Sequence, residues 1–136
     1  MTRVWSGGCA CGAIRYEIGG DPLVMVDCQC LDCQSESGMG HASHLVFPSQ
    51  GVTIPDATTG WEMRGDSGNV KTRHFCKTCG SPVFMTFAAT PDILTVRAAS
   101  LDEPERYQPQ IVTYASRGHT WDHLDPDVPK FAKMPG

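Results

Sequence analysis

Seven cysteines fall into three short clusters, Cys9-Ala10-Cys11, Cys28-Gln29-Cys30-Leu31-Asp32-Cys33 and Cys76-Lys77-Thr78-Cys79, and none lies outside them. Thiols used as small hydrophobes would scatter through a core, and an odd number cannot pair completely as disulfides. Clustering of this kind points to metal ligation. Cys76-x-x-Cys79-Gly80 has the spacing of a zinc knuckle. Two intervening residues let both sulfurs reach one tetrahedral ion at about 2.3 Å, and a glycine at positive φ turns backbone N–H groups towards them. Cys9-x-Cys11 is a less familiar pair. Residues i and i+2 of a flat strand sit about 6.5 Å apart, whereas sulfurs sharing a tetrahedral ion need about 3.8 Å. The chain must therefore bend there, and Gly7, Gly8, Ala10 and Gly12 supply the small residues.

The middle cluster places three thiols in six residues, enough to cap one face of an ion alone. If the two pairs combine, they make a closed four-thiolate site, which is structural because no coordination position is left. The triad then keeps an open position, the pattern of a catalytic or ligand-exchanging zinc, unless His41, His44, His74, His119 or His123 closes it. Spacing alone does not say which cysteines share an ion.

The 136 residues fit one domain, 1–136. Val plus Ile (15) outnumber Leu (6), and Gly (14) and Pro (10) are abundant, a bias towards strands and turns. A formal net charge of -4 argues against general nucleic-acid binding, which relies on a basic surface. No apolar run approaches the roughly 18 residues needed to cross a bilayer, and the first residues carry no apolar signal segment. The expectation is a cytoplasmic protein without membrane contact. Disulfides are uncommon in that compartment, which also favours metal-bound thiols.

The pattern predicts an all-β domain of short strands over 13–18, 23–26, 45–47, 52–54, 61–63, 70–75, 83–87, 94–98 and 111–114, separated by Gly and Pro. Alternation puts Ile14, Tyr16 and Ile18 on one buried face. A helical turn is expected over 34–37, stopped by Gly38 and Gly40. From His123 onward, three prolines predict an extended tail packed on the domain.

The order CxC, CxCxxC, strand, CxxCG resembles the glutathione-dependent formaldehyde-activating enzyme family, which shares a domain with centromere protein V. Further matching stretches are Gly7 to Tyr16, Arg73 to Phe84, Ser100 to Pro104, and Trp121 to Pro126 with Pro129, Phe131 and Met134-Pro135. The resemblance spans nearly the whole chain. It implies a mainly β, β-tent fold of small twisted sheets, like that of the mammalian suppressor of Sec four, with zinc-bound cysteine knuckles. It also implies a structural zinc on Cys9, Cys11, Cys76 and Cys79, and a second, labile zinc tied to activity on Cys28, Cys30 and Cys33. The implied activity is that of a carbon–sulfur lyase joining formaldehyde and glutathione into S-(hydroxymethyl)glutathione, with a small-molecule thiol–aldehyde adduct as partner. Many relatives carry His where this chain has Gln29; that position is not a ligand, so the site itself is unaffected.

Three thiolates around a divalent ion leave a net charge of about -1 and weaken its Lewis acidity, so the site is a poor hydroxide source. Exchange of an incoming thiol onto the ion, in contact with an aldehyde, fits better. The alternative is a non-catalytic, zinc-stabilised binding module of the same fold, comparable to guanine-nucleotide-exchange chaperones. Lys71, Arg73, His74 and Lys77 could receive a substrate carboxylate, but are read as solvated charges beside the four-thiolate site. Trp121 is read as a core or tail anchor, and His123, beside Asp122, as a structural histidine.

Overall fold

The computed structural model describes residues 4–65 and 67–135. Its strands are β1 (Val4–Gly8), β2 (Arg15–Gly19), β3 (Val24–Cys28), β4 (Ala42–Pro48), β5 (Thr58–Arg64), β6 (Val70–Cys76), β7 (Pro82–Phe87), β8 (Ile93–Arg97) and β9 (Ile111–Thr113). The one α-helix among the described residues, α1 (Leu31–Ser37), joins β3 to β4. The fold is mainly β, as expected. β1 and β2 form a small antiparallel sheet, and the other strands form a seven-stranded sheet in the order β5-β6-β7-β8-β4-β3-β9. All pairs in the larger sheet are antiparallel except β3 with β9.

Period-2 alternation gives the central strands two different faces. Leu45, Phe47, Leu94, Val96 and Phe84 share one face and join Trp5, Ile14, Tyr16 and Ile18 of the small sheet in one buried cluster. Aromatic edges set its packing: Trp5 meets Phe47 at 6.1 Å and 68°, and Tyr16 meets Phe84 at 5.3 Å and 62°. Register puts Cys28 opposite Ala42, Val26 opposite His44, His44 opposite Arg97, Met85 opposite Thr95, and Arg73 opposite Met85. These residues occupy the second face, where α1 lies.

Helix α1 begins earlier than the sequence reading places it. Cys30 is its N-cap, with Sγ accepting from the Cys33 N–H at 3.3 Å, a role normally taken by Ser, Thr or Asp. The end is as expected: Gly38, at φ 72°, returns its N–H to the Gln34 carbonyl. Two strand expectations change. Residues 52–54 form no strand; Val52 and Ile54 pack on the core from an irregular loop between Gly51 and Pro55. Strand β1, by contrast, escaped the pattern because Ser6, Gly7 and Gly8 mask its alternation. Gly7 is needed there: a Cβ would stand 2.4 Å from Tyr16 Oη and 2.2 Å from the Ser100 carbonyl. The C-terminal segment runs extended along β9, with Val112 N–H on the Pro129 carbonyl and Phe131 N–H on the Val112 carbonyl, both 2.9 Å.

Phe47 is 1% exposed at the centre of this core. Phe47→Ala should lower unfolding free energy by about 3–5 kcal/mol in urea titrations at fixed metal content.

Candidate metal centres

The turn after β1 and the β6–β7 connection meet at one point, where the sulfurs of Cys9, Cys11, Cys76 and Cys79 all lie within 4.8 Å of one another. Cys11 Sγ is 3.6 Å from Cys9 Sγ and 3.6 Å from Cys76 Sγ, close to the tetrahedral separation of about 3.8 Å. The i, i+2 pair achieves this because the chain turns back immediately, with Cys9 N–H on the Ile14 carbonyl at 3.2 Å. Gly80, at φ 77°, closes the knuckle by donating to the Cys76 carbonyl at 3.0 Å. Backbone N–H groups point at the sulfurs: Ile14 to Cys9 at 3.2 Å, Thr78 and Cys79 to Cys76 at 3.3 and 3.4 Å. Such donors stabilise thiolates. The Ser81 hydroxyl, followed by the Ser81 backbone N–H, brings Cys79 down to about 5. Cys11 and Cys79 are exposed, whereas Cys76 is buried.

The second cluster spans the end of β3 and the start of α1. Cys28, Cys30 and Cys33 bring their sulfurs within 4.8 Å of one another; Cys30 and Cys33 are buried and Cys28 is partly exposed. Hydrogen bonds from the Cys30 and then the Cys33 thiol hold Cys28 down at about 3, while donation to Cys28 and then Cys30 pushes Cys33 far up. Three sulfurs this close cannot all ionise unless a cation replaces their protons. The donor set is soft, all sulfur and correctly spaced for one ion, so each cluster could hold zinc.

None of the five histidines joins the triad's mutually close donor group among the described residues. His44 comes nearest, with Nε2 3.5 Å from Cys33 Sγ. Burial drives its imidazole down to about 4, so it stands neutral behind Cys33, with Nδ1 unpartnered. His74 is held 2.9 Å from Thr86 Oγ1 on the β6–β7 pair. His41 binds Asp122, His119 binds Gln34, and His123 is exposed.

Beneath α1 the structure corrects the reading of the basic residues. Asp32 and Glu36, one helical turn apart, face Lys71 and Arg73 on β6: Lys71 Nζ is 3.5 Å from Asp32, and Arg73 Nε is 3.0 Å from Glu36. Glu36 also pairs with Arg97, and the side chains of Glu36 and Arg97 are only 5% and 9% exposed. Lys71 and Arg73 therefore hold the helix that carries the triad. They are neither solvated charges nor receivers of a substrate carboxylate.

Sequence reasoning missed the polar rim above the triad. Gln29 Nε2 donates to Asp122 at 3.1 Å, and His41 Nδ1 donates to the same carboxylate at 2.9 Å. Gln34 Nε2 donates to the carbonyls of Gln29 and Arg117 at 2.9 and 3.0 Å, while its Oε1 accepts from His119 at 2.7 Å. Close approach is built in, since a Cβ on Gly118 would lie 2.7 Å from Gln29 Oε1. The segment reaches this place through Tyr114, a non-glycine residue at φ 55° that packs on Cys30, Cys33 and Ala42. Left-handed backbone costs such a residue about 1–2 kcal/mol. Trp121 is 60% exposed and stacks on His119 at 4.7 Å and 8°, so it is not a core anchor.

Removing charge from Glu36 leaves buried Arg97 and partly buried Arg73 without their counterion. Glu36→Gln should cost about 3–5 kcal/mol of stability, read by chemical denaturation. A loss below 1 kcal/mol would show that the arginines are hydrated.

The glutathione-dependent formaldehyde-activating enzyme family model matches residues 4–117, a span that contains all seven cysteines. The crystal structure of a Rhodobacter sphaeroides protein, a structural-genomics target, superposes with a TM-score of 0.56 at 19% identity. That alignment covers 93% of this chain and 99% of the other, and shows a shared fold. On the extent of the family match, the chain belongs to the glutathione-dependent formaldehyde-activating enzyme family.

Proposed function

We propose that the chain, as one domain over 1–136, is a zinc-dependent carbon–sulfur lyase acting on a thiol–aldehyde adduct, in the manner of S-(hydroxymethyl)glutathione synthase. In this reading Cys9, Cys11, Cys76 and Cys79 hold a structural zinc, and Cys28, Cys30 and Cys33 hold the exchangeable one. The supporting observation is a triad with three mutually close sulfurs and no fourth protein donor among the described residues. Family membership names the substrate pair, formaldehyde and glutathione. A β-tent architecture and a reducing, cytoplasmic setting complete the proposal. Among the described residues no helix is long and apolar enough to cross a membrane.

Zinc bound at the triad supplies a soft electrophilic position that keeps an incoming thiol deprotonated near neutral pH. The chain's own residues do the rest. In this reading a ligand enters on the side of Cys28, at the end of β3. In synthesis the thiolate sulfur forms a bond to the aldehyde carbon, the carbonyl π pair moves to oxygen, and that oxygen takes up one proton. Cleavage runs the same bookkeeping backwards. Asp122, its side chain 4% exposed, accepts a hydrogen bond from His41 Nδ1 and so fixes the imidazole, with Nε2 as its remaining nitrogen. Gln29 fixes the other side of that carboxylate. The binding-module alternative draws support from the burial of Cys30 and Cys33.

Formaldehyde consumption with glutathione, followed by NMR against the uncatalysed background, decides between them. The lyase reading expects acceleration by the protein and its loss in Cys30→Ser; a rate equal to background leaves the binding module. Metal analysis tests the two centres. Mild chelation should remove one zinc per chain with circular dichroism unchanged, because the open triad offers a chelator direct attack. Cys76→Ser should give insoluble or unfolded protein, since its cluster joins segments 65 positions apart. Simultaneous loss of both ions would refute the unequal pair.

A further inference from the structure

The exposed aromatic shelf beside the triad has no part in the core or in metal ligation. Trp121 and His119 lie nearly parallel, 8° apart with ring centres 4.7 Å apart. His119 is fixed by Gln34, the residue after Cys33, and the chain on either side is pinned by the Gln34–Arg117 and Gln29–Asp122 hydrogen bonds. An indole held on one face by a tethered imidazole offers its other face to solvent at little ordering cost. Exposed apolar side chains recur on the segments that hold the triad: Leu31 at 47%, between Cys30 and Cys33, and Met39 at 56%, just after α1. The cations that would otherwise attract an anionic substrate, Lys71, Arg73 and Arg97, are occupied by Asp32 and Glu36.

We propose that the Trp121 face on His119 is the docking shelf for the planar amides of a peptidyl thiol, and makes the site prefer such a thiol over a small one. The inference rests on the lyase reading and deepens it. The shelf is tied to the triad segment through one side chain, Gln34, the residue after Cys33. In a tripeptide thiol with its sulfur on the central residue both amides lie within one residue of that sulfur, so a peptide held at the triad presents planar amides to the surface beside it, where Trp121 stands exposed. Amide and aromatic planes stack favourably, and one such contact is worth about tenfold in binding.

The test has an arm free of turnover. S-methylglutathione keeps both amides but has no thiol to ionise. Titrated into the metal-loaded protein, it should shift the Trp121 indole N–H resonance saturably, leave those of Trp5 and Trp61 in place, and bind about tenfold more weakly to Trp121→Ala, with Trp121→Phe restoring most of the affinity. In turnover, Trp121→Ala should reduce the kcat/KM preference for glutathione over 2-mercaptoethanol about tenfold, mainly through KM. No shift with S-methylglutathione, or an equal loss for both thiols, overturns the shelf. So does a Trp121 shift that follows protein concentration instead of ligand, which marks an interface between copies of the chain. Absence of turnover with either thiol defeats the lyase reading, while the S-methylglutathione titration still decides the shelf.

Discussion

Sulfur crowding is the constraint on which the rest of the structure depends. Seven thiols converge on two points, each group with its sulfurs within 4.8 Å. Two thiolates about 4 Å apart repel by about 4 kcal/mol at the effective dielectric of a protein surface, so the thiolate form of each cluster is one that a cation could hold. The four-cysteine group also has an architectural role. It fastens the turn of the small β1–β2 sheet to the β6–β7 knuckle of the large one, across a gap in sequence that the hydrophobic cluster alone would have to close. Trp5 and Tyr16 then reach Phe47 and Phe84 from a sheet already held in place.

The two centres differ in what surrounds them. Exposed Cys11 and Cys79 and a row of backbone N–H donors surround the first, so water and amides disperse its charge. At the second, the protein supplies charge from below. Partly exposed Arg73 and buried Arg97 share Glu36, leaving one net positive charge under α1, with Arg97 close to Cys33. On the two-zinc reading, that charge would oppose the net negative charge of three thiolates around a divalent ion. It acts without occupying a coordination position, which a histidine ligand would do. Neutral His44 stands between, filling space behind Cys33.

Features carried by local spacing were legible in the sequence. The cysteine clusters, the Ile14-Tyr16-Ile18 face, the strands β7 and β8 and the Gly38 stop each depend on residues within a few positions of one another. What escaped depends on pairings the chain makes over long range. Asp32 and Glu36 meet Lys71, Arg73 and Arg97 only once β6, β8 and α1 share a face of the sheet, so the cations were taken for solvated charge. Asp122 sits 81 positions from His41, and no periodicity announces such a pair. Trp121 misled for a different reason. A large apolar residue is normally buried, and only the stacked His119 shows why this one stands outside. Cys30 had a second function, helix capping, that its metal-ligand spacing concealed.

Charge arithmetic links these observations to substrate choice. On the two-zinc reading, seven thiolates and two divalent ions add three negative charges to the formal -4 of the chain. Glutathione, with two carboxylates and one ammonium, approaches as an anion, so the field of the whole molecule opposes it. Arg97 is buried and Arg73 is paired with Glu36, so these arginines do little to reverse it. Affinity must then come from interactions that ignore net charge: exchange of the sulfur onto a soft ion, and stacking of planar groups on an exposed aromatic face. On the proposed reading the triad and the Trp121 shelf meet those two demands, and Gln34 is hydrogen-bonded to the segments that carry both.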